Sequence, residues 1–270
     1  MDDRVKVTMS DGIAEVRLVR ADKMNALDAA MFDALVATSG RLAHEKGLRA
    51  VVLSGEGRAF CAGLDMGRFA AMNEKGGNGV AGGESRDLTA RTHGLANFPQ
   101  QAVWGWRQLP VPVIAAIQGV AFGGGFQLAL GADMRFLAPD ARMSIMEIKW
   151  GLVPDMAGTP ILASLVRSDI LRELTYTGRI FSAQEALSYG LATRICDDPL
   201  AAAFEVARDI AAKNPEAIRA AKRMLNNLAV DPAAALLAES VEQMKLMGKP
   251  NQLEAVRANI DKRAPRFADV

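Results

Sequence analysis

The stretch from residue 111 to 130 constrains the chain most. Residues 111–118 (VPVIAAIQ) are apolar without polar alternation, the pattern of a strand buried on both faces. Gly119, Val120, Ala121 and Phe122 follow, then the triplet Gly123, Gly124 and Gly125, and then an apolar helix over 126–130. A strand covered on both faces belongs to a sheet with helices above and below it, so this stretch predicts an α/β core.

The neighbouring segments agree. Residues 5–9 and 13–19 alternate apolar and polar side chains around Ser10-Asp11-Gly12, which predicts a β-hairpin. Asp28 is placed to cap a helix in which Met31, Phe32, Leu35, Val36 and Leu42 recur at helical spacing. Residues 49–54 (RAVVLS) read as a second buried strand, and residues 134–138 as another. A helix is expected over 86–108, interrupted near Pro99. Residues 73–85 hold five glycines among polar residues and read as a mobile loop. From about Ser182 the pattern turns helical, with Asp231-Pro232 as a cap and first turn.

Composition then excludes several function classes. Thirty-two basic against thirty-one acidic residues leave a net charge of +1, without the concentrated basic face that nucleic acid requires. No uncharged apolar run reaches the roughly 18 residues of a membrane span, and residues 1–6 are charged with no apolar signal core. A soluble, cytoplasmic protein is expected. Cys61 and Cys196 are too few for a disulfide framework and read as buried thiols. His44 and His93 are the only histidines, so neither a zinc site nor a histidine-based triad is expected, and no metal.

Three stretches carry chemistry. The glycine triplet lets a ligand approach the main chain where the first N–H groups of a helix point outward, although a lone triplet is also explained by helix–strand packing. Residues 59–65 (AFCAGLD) offer a second set of approachable N–H groups, and two opposed donors make an oxyanion hole. Glu147 interrupts an apolar stretch, with Asp155 eight residues later. Carboxyls in such surroundings titrate high and move protons near neutrality; salt bridges or helix capping are the plainer alternative.

Taken together and in order, Lys23-Met24-Asn25-Ala26-Leu27, AFCAGLD, PVIAAIQGVAFGGGFQLALGAD, the Glu147 segment, residues 174–186 (LTYTGRIFSAQEA), Gly190-Leu191 and Lys262-Arg263 resemble the crotonase (enoyl-CoA hydratase/isomerase) family. The resemblance implies a crotonase-like spiral of ββα units over residues 1–195. A helical C-terminal region over 196–270 would assemble homotrimers or dimers of trimers. It further implies an acyl-CoA thioester as substrate, with coenzyme A as part of that substrate and no separate cofactor.

Carried over to this chain, the N–H groups of Leu64 and Gly124 would form the oxyanion hole. Asn25, Ala26, Ala62, Asp65, Met66 and Lys262 would contact CoA. Hydratases of the family share the attacking water between two glutamates. Glu147 matches one, and Gln127 stands at the position of the other, where an amide can orient a group but cannot exchange its proton near pH 7. Asp155 matches an aspartate of the family's dienoyl-CoA isomerases. The favoured expectation is therefore double-bond isomerisation of an unsaturated or dienoyl-CoA, with Glu147, Asp155 and Gln127 as the catalytic set. The alternatives are hydration, with Glu147 as sole acid/base and Gln127 orienting water, and an idle acyl-CoA binder.

Overall fold

β1 (Val5–Ser10) and β2 (Ile13–Leu18) pair antiparallel across a tight Asp11-Gly12 turn, as the alternation predicts. The computed structural model describes residues 4–65, 67, 88–227, 241, 243, 245–247 and 249–269. The expected loop over 73–85 and the Asp231-Pro232 cap lie outside these residues.

Asp28 caps α1 (Ala29–Leu42) by accepting the Met31 N–H at 2.8 Å, and the helix buries Met31, Phe32, Leu35 and Leu42. β3 (Ala50–Gly55), buried at every position, then lies parallel to β2. The next helix corrects the expectation for 86–108. Residues 88–97 form turns, and α2 (Phe98–Gln108) begins beside Pro99 instead of being broken by it. A proline in the first turn gives up an N–H that has no helical acceptor, and Asn97 and Gln100 cap each other there.

β4 (Val113–Ile117) continues the parallel sheet beside β3. After Gly119 the chain leaves that sheet as β5 (Val120–Phe122), a strand the sequence reading passed over, and enters α3 (Gly124–Leu130). β6 (Met134–Leu137) returns to the large sheet and β7 (Arg142–Ser144) pairs with β5. The helices α4 (Gly158–Leu165), α5 (Ser168–Thr177) and α6 (Ala183–Ser188) follow. The expectation of a wholly helical pattern after Ser182 is corrected by β9 (Arg194–Ile195), a two-residue strand that pairs with β6; β8 (Phe181–Ser182), equally short, pairs with β7. Strands this short hold too few side chains to register a period of two.

Two sheets result, one ordered β1-β2-β3-β4-β6-β9 and a smaller one ordered β5-β7-β8. In the units of β4 and β6 the first strand lies in the large sheet and the second, β5 or β7, in the small one, while β1 and β2 both stay in the large sheet; a bridge from Cys61 to Ala121 extends the small sheet toward the β3 unit. This is the expected spiral.

Helices cover both faces of the large sheet. On one side α1, α2 and α3 bury Phe32, Trp106 and Phe126. On the other, Ala203 and Ala207 of α7 (Pro199–Ala211) pack against Ile13, Val52, Ile114 and Phe136, so the boundary drawn at 196 is followed at once by a helix that returns to the sheet. Among the described residues no helix is long and apolar enough to cross a membrane.

α8 (Pro215–Asn226) carries Arg219, Lys222 and Arg223, a basic cluster that by sequence alone reads as a solvated face. Lys222 is buried, and its Nζ donates to Val111 O and Asp133 Oδ2, both at 2.8 Å. Asp133 Oδ2 also accepts the Val113 N–H at 2.7 Å, so the pair ties α8 to the start of β4. Lys222→Met strands a partly buried carboxylate and a buried carbonyl, and thermal unfolding is expected to show a loss of about 2 kcal/mol. A solvated lysine at this position would give no change. The chain closes with α9 (Pro250–Ile260), where Asn251 exchanges two hydrogen bonds with Ala268.

Candidate active site

The site begins with Asn25, which is fully buried at positive φ. Its Oδ1 accepts the Arg20 N–H at 2.9 Å, and its Nδ2 donates to the carbonyls of Glu56, Ala59 and Phe60. The carboxamide thus pins the loop that leaves β3. Cys61 adds a further tie by donating Sγ–H to Asn25 O at 3.1 Å, and burial pushes its thiol up to about 12. A thiol held this way is no nucleophile. Cys196, also expected to be buried, is only half so.

That loop then pairs with the segment before α1. Leu27 N–H donates to Gly63 O at 2.8 Å and Asp65 N–H donates to Leu27 O at 3.1 Å. The Leu64 amide falls between these bonds and therefore faces the other way. Gly63 packs against the end of β5: a Cβ there would sit 2.6 Å from Phe122 O and 3.7 Å from Gly124 N. Gly124 is the first residue of α3, where an N–H has no helical acceptor. Leu64 and Gly124 line one cavity of about 740 Å³.

Glu147 and Asp155 line the same cavity. Glu147 opens a 3₁₀ turn (Glu147–Trp150) after β7. Its Oε1 accepts from Gln127 Nε2 at 2.6 Å, while its Oε2 is buried with no partner. Burial pushes the Glu147 carboxyl up, with the charge of Asp155 adding to it, against its own backbone N–H, the hydrogen bond from Gln127 and the Met146 backbone. Burial also pushes Asp155 up. Asp155 does not cap α4, whose N-cap is Ala157.

The other expected residues divide. Ala26, Ala62 and Asp65 line the cavity. Asp65 accepts Arg20 Nη1–H at 2.6 Å and Gly67 N–H at 2.8 Å; burial works to raise its carboxyl, but those donors outweigh it and hold the group below its ordinary value. Asn25 stands inside the wall, not on its surface. Gln127 is likewise buried, behind Glu147 and off the cavity lining. Lys262 is exposed just beyond α9 and does not line the cavity, and Met66 lies outside the described residues.

The sequence reading also missed part of the wall. Trp150 lines the cavity, together with Met156 and Ile180. Trp106 does pack, fully buried with Nε1 donating to Ala102 O at 2.9 Å. Trp104 lines a second cavity of about 260 Å³ that shares Asp155 with the first. The position of Trp150 three residues after Glu147 was the available signal. Ile180, just past α5, carries none, because only the packing of the spiral brings it near.

Known proteins match this architecture. The family model for enoyl-CoA hydratase/isomerase aligns with residues 8–270. The carnitinyl-CoA dehydratase of Proteus mirabilis is 32% identical over 99% of each chain. The Delta(3,5)-Delta(2,4)-dienoyl-CoA isomerase of Mus musculus is 31% identical over 93% of this chain and 77% of that one. The crystal structure of an enoyl-CoA hydratase from Bacillus anthracis superposes with a TM-score of 0.87 at 31% identity, covering 98% of both chains. With the match running from residue 8 to the C-terminus and the ββα spiral shared, the chain belongs to the enoyl-CoA hydratase/isomerase family of acyl-CoA enzymes.

Proposed function

We propose that the protein moves a double bond along the chain of an unsaturated acyl-CoA, with Glu147 and Asp155 exchanging protons at two different carbons. One carboxylate takes a proton from the carbon beside the thioester carbonyl of a 3-enoyl-CoA. The electron pair delocalises into a dienolate, whose oxygen the amides of Leu64 and Gly124 hold. The other carboxyl, protonated, delivers its proton to the γ carbon and leaves the 2-enoyl product. Atoms and electrons balance without an oxidant, and solvent resets the two carboxyls. An amide aimed at a developing oxyanion contributes roughly 3 kcal/mol.

The observation that carries this reading is the pair of carboxyls on one cavity, both raised by burial. A carboxyl raised by burial keeps its proton to higher pH and is a stronger base when ionised, which suits a group that both gives and takes protons. Gln127, at the position of the second hydratase glutamate, has its amide committed to protein partners and no face on the cavity. CoA would run past Ala26, Ala62 and Asp65, with Met66 and Lys262 assigned to it by resemblance alone.

The test follows products from 3-enoyl-CoA, 3,5-dienoyl-CoA and crotonyl-CoA by chromatography in deuterated buffer. Shifted double bonds carrying one deuterium are the expected result. Rapid conversion of crotonyl-CoA to its 3-hydroxy product without any shift would overturn the reading in favour of hydration. Tight binding without turnover would overturn it in favour of an idle binder.

A further inference from the structure

The Gln127 carboxamide is fixed at both ends. Its Oε1 accepts the N–H groups of Met156 and Gly158, at 2.9 and 3.0 Å, so the opposite end is necessarily the NH₂, and it donates to Glu147 Oε1 at 2.6 Å. The approach requires glycine at 158, where a Cβ would lie 2.7 Å from Gln127 Oε1. Gln127 also sits three residues after Gly124 in the same short helix, so one element carries both the amide that faces the cavity and this clamp. On the reading given under Proposed function, we infer that Gln127 is a positioning residue: it holds Glu147 by Oε1, leaves Oε2 as the oxygen that exchanges protons with the acyl chain, and ties that setting to the segment 155–158 bearing Asp155.

Oε2 is buried and carries no hydrogen bond, so of the two carboxyl oxygens it is the one left to take a proton. The other charged side chains lining the cavity are Asp155, which opposes ionisation of Glu147, and Asp22, Lys23, Asp65 and Lys149.

The test uses the full chain labelled with δ-¹³C glutamate, with the Glu147 resonance identified from the spectrum of Glu147→Gln. This titration needs no substrate, so it stands even where the isomerase reading fails. Gln127→Glu keeps an acceptor for Met156 and Gly158 but replaces the donor to Glu147 with a second carboxyl oxygen; Gln127→Met loses both. Both variants are expected to move the Glu147 midpoint to higher pH, because the donor that favours its ionised form is gone. Gln127→Glu is expected to unfold near the wild-type temperature at pH 5, where the two carboxyls share a proton. Hydrogen exchange at the α carbon of butyryl-CoA is expected to fall about tenfold in kcat with KM changed less than about twofold, the cost of a displaced proton-transfer group. A Glu147 midpoint that stays at the wild-type value in both variants would overturn the inference, since a merely structural glutamine would lower stability and leave that midpoint alone.

Discussion

Glu147→Gln is expected to lower kcat about 10³-fold while leaving the protein more heat-stable than wild type at pH 8. The activity loss follows from chemistry, since the amide preserves shape and still accepts the Gln127 hydrogen bond but can neither take nor give a proton near neutrality. The stability gain follows from linkage. Below the carboxyl's unfolded pKa the group is neutral in both states and burial costs nothing. As pH rises above that value, the unfolded chain ionises freely while the buried site resists, so the folded state loses stability until its own raised pKa is passed. Glutamine removes this loss. The melting temperatures of variant and wild type should therefore coincide near pH 4 and separate by pH 8, with the variant higher. A variant that melts lower at pH 8, or one that retains full turnover, would contradict the assignment of Glu147 as a buried proton carrier.

Gly125→Ala is expected to cost about 3 kcal/mol of stability and at least about 10² in kcat/KM. A methyl group at this position would lie 2.3 Å from Cys61 O and 2.8 Å from both Cys61 Cβ and Sγ. The nearest obstacle is backbone, and that backbone is itself fixed, because Cys61 O accepts the Phe122 N–H at 3.1 Å and Cys61 N–H donates to Val120 O. Relief therefore requires α3 to move away from the loop after β3. That movement separates Gly124 N from Leu64 N, the two amides proposed to hold the thioester oxygen. Gly124→Ala provides the comparison: there a Cβ meets the flexible ends of Met156 and Leu27, at 2.8 and 2.9 Å, so the fold should suffer less. Thermal unfolding and steady-state kinetics of both variants check this. Equal stability losses would show that the contact with Cys61 is not what sets the helix.

The difference between these two glycines shows how far the chain could be read without coordinates. Local patterns suffice where the physics is local. The Asp11-Gly12 hairpin, the Asp28 cap, the buried runs in β3 and β4 and the glycine triplet each depend on neighbours a few residues apart, and each is where the pattern places it. Pro99 was misplaced because a proline in a first turn and a proline that breaks a helix look alike without the Asn97–Gln100 cap. Lys222 was misplaced because its partner, Asp133, lies on a distant segment, and nothing around residue 222 announces that it is buried.

The amino-acid sequence alone determined the strands, helices and turns of the α/β core, the two amide-bearing loops and the presence of acidic side chains beside them, because periodicity, capping and glycine placement act within a few residues; the ββα spiral was implied by its resemblance to a known family. Tertiary structure alone decided that Asn25 and Gln127 face into the protein while Glu147 and Asp155 face a common cavity, and that Trp150 and Ile180 complete its wall. The direction in which a side chain points, and the proton affinity that follows from it, depend on which residues surround it in space. Those neighbours come from segments separated by tens of residues, and only the closed spiral brings them together.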